Sequence, residues 1–167
     1  FSGGVFRLDF YSVDEITEIL RRSADILDVT ADDKALEEIA ERSRYTPRTA
    51  NYFLKRCRDY AQVHNNSHLS EDIAHSALEL LAIDKKGLTE DDRRVLRTII
   101  EKFDGGPVGL KTLAASIAED PNTVEEVYEP YLMREGFIER TSRGRKATRR
   151  AHEHIDADTN QQDLGLN

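Results

Sequence analysis

A single cysteine, Cys57, occurs in 167 residues, so no disulfide can close within the chain and a reducing compartment is expected. Cys57 falls on an apolar helix face, where a packed thiol is the natural reading rather than a nucleophile. No stretch approaches the ~18 consecutive apolar residues of a membrane span, and no charged-then-apolar leader opens the chain. A soluble, cytoplasmic protein with no membrane partner is expected. A G-x-x-x-x-G-K-[ST] phosphate loop is missing, and Gly105-Gly-Pro-Val-Gly109 lacks the lysine such a cradle needs. His64 and His68 flank an Asn-Asn-Ser loop, and His152 and His154 lack a cysteine or carboxylate cluster, so no metal site is expected. The opening Phe1-Ser-Gly-Gly4 does not resemble a natural start, and Val5 to Tyr11 reads as a strand already under way. The chain is therefore expected to be a fragment of a longer protein.

Basic residues are outnumbered, with 24 lysines and arginines against 32 acids and a net charge of -8. Against that background, Arg140 to Arg150 holds six basic residues and no acidic one. An acidic protein that keeps one short basic element has built a local anion site, and a basic hairpin suits a phosphate backbone. The rest of the composition, 38% hydrophobic and 34% charged, is that of ordinary globular structure with room for two small helical cores.

Helix signals recur along the chain. Ser12 with Glu15 forms a capping box ahead of Val13, Ile16, Ile19, Leu20 and Leu27 on one helical face. Thr30 with Asp33 repeats the signal ahead of Leu36, Ile39 and Ala40. Thr46-Pro47 supplies a capping hydroxyl and a proline at the first helical position, with Ala50, Phe53, Leu54, Cys57 and Ala61 inward. Ser70 opens a fourth helix carrying Ile73, Ala77, Leu78 and Leu81, and the four-helix unit ends near Ile83. Asp84-Lys-Lys-Gly87 is too short for a floppy tether, which predicts a defined orientation between the halves.

Beyond it, Thr89 and Asp92 cap a helix with Val95, Leu96, Ile99, Ile100 and Phe103 inward, and a short helix follows with Leu110, Leu113, Ala114 and Ile117. Asp120-Pro121 starts a third, with Val124, Val127, Tyr128, Tyr131 and Leu132 apolar and Gly136 as its end. Phe137 to Thr141 and Arg145 to Thr148 alternate as two strands about Ser142-Arg-Gly144. Three helices and then a hairpin make a winged helix. Ala151 to Asn167, with four acids and no lysine or arginine, reads as a short helix fading into a tail.

The expected fold is thus mainly α: a four-helix domain over residues 12–83, a winged-helix domain with a two-stranded wing over 84–155, and an acidic tail over 156–167. Arg140 and Arg145 flank the wing turn and are the candidates for phosphate contact, while strand alternation sends Arg145 and Lys146 to opposite faces. The helix from Asp120 to Glu135 carries Asp120, Glu125, Glu126, Glu129 and Glu135 against Arg134 alone. Phosphates would repel such a helix in a major groove, so the wing is expected to hold backbone without reading bases. A second basic set, Arg42-Ser-Arg-Tyr-Thr-Pro-Arg48 with Lys55, Arg56 and Arg58, places Arg48 at a helix N-terminus, where it can meet a polyphosphate.

Several stretches in register carry a resemblance: Arg7-Leu-Asp-Phe-Tyr11, Thr46-Pro-Arg-Thr-Ala-Asn51, Arg58-Asp-Tyr-Ala61, Lys102-Phe-Asp-Gly-Gly-Pro-Val-Gly-Leu110, Val127-Tyr-Glu-Pro-Tyr-Leu132 and Gly136-Phe-Ile-Glu-Arg-Thr-Ser-Arg-Gly-Arg145. Over roughly residues 5 to 155 the chain resembles the C-terminal half of the RuvB family, the AAA+ motors of Holliday-junction branch migration. The resemblance implies that 12–83 is the small ATPase domain, or lid, and 84–155 a DNA-facing head, with residues 1–11 the end of the large ATPase domain or an artificial scar. It implies that Arg48 is the sensor-2 arginine approaching the terminal phosphates of ATP, that Tyr11 contacts the nucleotide, and that Arg140 and Arg145 contact DNA. It also implies ATP and Mg2+ as cofactors, and as partners duplex DNA or a Holliday junction, RuvA, RuvC and a homohexamer of the parent motor. The ATP hydrolase and helicase activity would belong to that parent, this chain being inactive alone. Tyr45 stands where the family usually has glycine, and Phe1 where an arginine is expected.

Two rival readings remain at this level: a winged-helix DNA-binding regulator, and the lid and head of a replication-initiator ATPase. A wing buried against the four-helix unit, its guanidinium groups already paired to carboxylates, would overturn the DNA-grip reading.

Overall fold

The computed structural model describes residues 11–44 and 46–164, and the chain divides into two compact units between Leu88 and Thr89. The strand expected from Val5, the consequence of Tyr45 and residues 165–167 lie outside the described residues. Each unit is built mainly of helices, with short two-stranded pairings.

In the first unit, α1 (Val13–Ile26) begins on the capping box read from the sequence. Ser12 Oγ accepts from the Glu15 amide at 3.1 Å, and Glu15 Oε1 accepts from the Ser12 amide at 3.2 Å. α3 (Pro47–Val63) is capped by Thr46, which accepts from the Thr49 amide at 3.4 Å, and α4 (Glu71–Leu80) by Ser70, which accepts from the Ile73 amide at 3.3 Å. Each cap satisfies an amide that the first turn leaves without a carbonyl. The cap of α2 (Asp33–Glu41) corrects the sequence reading. Asp32, not Thr30, holds the N-cap position, because Thr30 and Ala31 form a short strand β1 parallel to β2 (His68–Leu69). The Asp32 carboxylate turns instead to His68 Nε2 at 2.7 Å.

Ile16, Leu20, Leu36, Ile39, Leu54, Cys57, Ala74 and Leu78 fill the core among the four helices. Burying each large aliphatic side chain contributes ~1.5–3 kcal/mol. Arg42, the first residue of the second basic set, is 2% exposed. Its Nη1 donates to the Ile83 carbonyl at 2.7 Å and Glu79 at 3.1 Å, and its Nη2 reaches Glu38 at 2.9 Å and His75 Nδ1 at 3.1 Å. One buried guanidinium thereby ties the end of α2 to α4 and to the turn that follows it.

The second unit opens with α5 (Glu90–Lys102) on a Thr89/Asp92 capping box, followed by α6 (Leu110–Ser116). A short α7 (Pro121–Thr123) then runs through a π-helical turn over Val124–Tyr128 into α8 (Glu129–Arg134). Pro130 explains the wide turn: it has no amide to donate, and its ring clashes with the carbonyl four residues back in a regular helix. The Glu129 amide accordingly reaches back five residues to the Val124 carbonyl. The extra residue turns Val127 to solvent and Glu129 into the interior, against the single apolar face read from the sequence.

The wing pairs β3 (Ile138–Thr141) with β4 (Gly144–Ala147) antiparallel, Arg140 directly opposite Arg145. Its root is anchored by Phe137, Ile138 and Ala147, all buried. Val108 adds a third rung, exchanging backbone hydrogen bonds with Arg145 at 2.9 and 2.7 Å. Gly144 makes this approach possible, because its φ of 131° lies in glycine territory and a Cβ there would collide with the Val108 carbonyl. The C-terminal helix α9 (Arg149–Leu164) is longer than the fading helix the sequence suggested. Ala151 and Ile155 are buried in it, and Asp158 meets Arg97 at 3.4 Å and Arg93 at 3.7 Å on α5.

Candidate nucleic-acid interface and nucleotide-facing helix end

On the wing, antiparallel register puts two like charges face to face, a destabilising arrangement unless an anion lies between them. Glu129 supplies that anion. Its carboxylate is 0% exposed and accepts from Arg140 Nη2 at 2.8 Å, from Arg145 Nε, and from Arg145 Nη2 at 3.4 Å. The two arginines differ in access: the Arg145 side chain is 12% exposed and that of Arg140 45%. The hydrogen bond to Glu129 raises the Arg140 guanidinium further above its ordinary range, so its charge is permanent. Half of the condition that would overturn the DNA-grip reading is therefore met. The guanidinium groups are paired, but to an acid of their own unit, and Arg140 stays open to solvent.

Other cations complete the surface. Arg143 at the tip and Lys146 on the return strand are exposed, with no ion pair among the described residues. Arg149 is paired to Glu153 at 2.9 Å, and Arg150 lies over the Phe137 ring and near Glu135 at 3.7 Å. The acidic face of the preceding helix is smaller than its sequence implies. Glu125 and Glu126 are exposed, but Glu129 is neutralised inside. Sequence reasoning counted Glu129 as a repelling surface charge; the Glu-Pro step that displaces the helical register was the signal for its true direction.

In the four-helix unit, Arg48 lies in the first turn of α3, beside the Thr46 cap, and is exposed with no ion pair among the described residues. Lys55 is exposed, whereas Arg56 and Arg58 are drawn to Asp59 at 2.8 and 3.2 Å. Tyr11 is 36% exposed just ahead of the Ser12 cap, and no hydrogen bond or ring contact joins it to Arg48 among the described residues. An exposed arginine at a helix N-terminus fits the terminal phosphates of a nucleotide held chiefly by other residues. Among the described residues no group of three or more His, Cys, Asp or Glu could hold a metal ion, and no helix is long and apolar enough to cross a membrane.

A four-helix unit whose third helix opens on Thr-Pro-Arg, followed by a winged helix with a cationic wing, defines the lid and head of an AAA+ protein. Family models agree with that class: the RuvB AAA lid domain matches residues 11–84 and the RuvB C-terminal winged helix domain residues 85–156. The chain belongs to the RuvB family. It is 57% identical over 153 residues to the Holliday junction branch migration complex subunit RuvB of Dehalococcoides mccartyi (strain CBDB1), covering 92% of this chain and 44% of that one. Among solved structures, the Thermotoga maritima RuvB Holliday junction branch migration motor superposes with a TM-score of 0.85 at 49% identity, covering 89% of this chain and 50% of that one. A point mutant of the same motor gives a TM-score of 0.86 at 48% identity, covering 92% and 51%. The chain thus spans about half the length of the relatives it matches.

Proposed function

We propose that the two units act as the lid and the DNA-gripping head of an ATP-driven motor that moves Holliday junctions in recombination and repair. In that assembly, a cytoplasmic homohexamer working with RuvA and RuvC, ATP and Mg2+ are held chiefly by residues beyond this chain, which alone hydrolyses nothing. ATP, when bound, supplies the γ-phosphate whose presence or loss the lid senses. Arg48, in the first turn of α3 behind the Thr46 cap, would meet that phosphate, and Tyr11 would contact the nucleotide. The wing, with Arg140 and Arg145 at its centre and Arg143 at its tip, holds duplex backbone phosphates. Contact with phosphate rather than base edges lets the same step repeat on any sequence.

One observation carries this reading: a chain of net charge -8 presents Arg140, Arg143 and Lys146 together on one exposed hairpin. Exposed acids on the preceding helix, Glu125 and Glu126, disfavour base reading from the major groove and with it the regulator alternative. The test is duplex binding across a salt series. Arg140→Ala is expected to weaken affinity for any sequence and to reduce the slope of log K against log salt by ~0.9, one phosphate contact. Unchanged affinity and slope would refute the wing as the DNA grip.

A further inference from the structure

The turn of the wing carries a hydroxyl that the fold leaves idle. Ser142 and Arg143 form that turn, and residues 139–143 are all exposed. Serine favours a turn when its hydroxyl bonds to nearby backbone. Here the preceding residue makes those bonds: Thr141 Oγ1 donates to the Gly144 carbonyl at 2.9 Å and accepts from the Arg143 amide at 3.3 Å. Ser142 Oγ makes no hydrogen bond among the described residues. Charge decides what a free hydroxyl can do at that place. Residues 138–147 hold Arg140, Arg143, Arg145 and Lys146 against Glu139, a net charge of +3, and Glu129 beneath Arg140 and Arg145 lowers it to +2. A phosphate ester on serine carries about −1.5 to −2 at pH 7. A single ester at Ser142 would therefore bring the wing close to neutrality. It would lie beside Arg143 and within three residues of Arg140 and Arg145, and it would compete with DNA as an intramolecular ligand, at an effective concentration on the order of millimolar.

Resting on the wing as the DNA grip, we propose that Ser142 is a phosphoryl-acceptor site, whose phosphoester takes the place of a DNA phosphate among the wing's arginines and releases the duplex. The donor is ATP on a serine kinase with an acidic acceptor groove, to which the flanking cations are complementary. Ser142 Oγ forms the new bond to the γ-phosphorus, and the bond from that phosphorus to its bridging oxygen breaks. ADP leaves with the electron pair, and the hydroxyl proton passes to the kinase's base. Hydrolysis of the ester by a phosphatase returns serine and inorganic phosphate, and with them the grip. Thr141 is the poorer acceptor, because its hydroxyl is already tied to backbone on both sides.

Two measurements on the whole chain test this. The first is fluorescence anisotropy with a fluorescein-labelled duplex of mixed sequence, across a salt series, on the chain made with phosphoserine in place of Ser142. That form is expected to bind at least ~10-fold more weakly, the worth of one charge-assisted contact. Its log–log salt slope is expected to flatten by ~1.8, two phosphate contacts, while Ser142→Ala binds as the unmodified chain does. Unchanged affinity and slope in the phosphoserine form overturn the proposal. Arg140→Ala, run alongside, separates the two levels: if it alters neither affinity nor slope, the DNA grip itself has failed and this inference falls with it. If Arg140→Ala weakens binding and the phosphoester does not, this inference alone has failed. The second measurement is phosphopeptide mass spectrometry of the protein recovered from growing and from DNA-damaged source cells, with phosphate expected on Ser142. A fully sequenced wing peptide that carries none, or carries it on Thr141, overturns the proposal. Should circular dichroism show the phosphoserine form unfolded, the second measurement decides alone.

Discussion

Cys57 shows how one side chain takes its chemistry from its surroundings. It lies at 0% exposure in the core of the first unit. Burial pushes its thiol up to about 12, with the Glu38 carboxylate adding to the shift and Arg42 opposing it. A thiol held neutral that far is neither a nucleophile nor a metal ligand at physiological pH. Iodoacetamide at neutral pH is therefore expected to leave the native chain unmodified and to alkylate it fully in denaturant, read by mass spectrometry. The linkage has a definite sign, because the folded value lies above the ordinary one of 9.0. The stability contributed by the neutral thiol is complete below about pH 9 and is lost as pH rises toward 12. Arg140 and Arg145 make the same point with fixed charges: identical side chains, opposite one another and both paired to Glu129, differ in access at 45% and 12%.

Among elements, the wing depends on its glycine more than on its charges. Gly144 lets β4 lie against Val108, and any side chain there meets the Val108 carbonyl in a backbone conformation that L residues avoid. Gly144→Ala is expected to destabilise the winged-helix unit by roughly 2 kcal/mol, the scale of one strained backbone position, and to weaken duplex binding through loss of the hairpin's seat. Urea denaturation and anisotropy would read the two effects separately. The helix starts at Ser12, Thr46, Ser70 and Thr89 were legible in the sequence, because each cap closes within three residues and needs no distant partner. Thr30 misled for the opposite reason: its place is set by His68, a partner 38 positions on. Glu129 was misread because its direction depends on a π-helical turn and on a hairpin that follows it, neither visible in a helical wheel.

For the whole molecule, two family-typical units are joined in one chain, and their order was legible because capping signals and apolar faces repeat through both. The acidic C-terminal stretch was not, since Asp158 finds its meaning only against α5. Ending the chain at residue 156, where the winged-helix match stops, would remove that acid from Arg97 and from Arg93, whose side chain is only 5% exposed. Such a trimmed chain is expected to lose about 1–2 kcal/mol of stability in the second unit, and Asp158→Asn in the intact chain most of that amount. Thermal denaturation followed by circular dichroism would show both. A trimmed chain as stable as the full one would mean that the last turns of α9 add nothing to the head.

In the lid, a guanidinium closed in by Glu38, Glu79, His75 and the Ile83 carbonyl cannot drift on its own over generations. Replacing Arg42 by a neutral residue leaves Glu38 with His75 Nδ1 at 2.8 Å beside it, whereas losing the acids strands a buried cation at a cost of ~3–5 kcal/mol. Positions 38, 42, 75 and 79 are in that sense one heritable unit, and a lineage that abandons the cation must rewrite its neighbours in the same stroke.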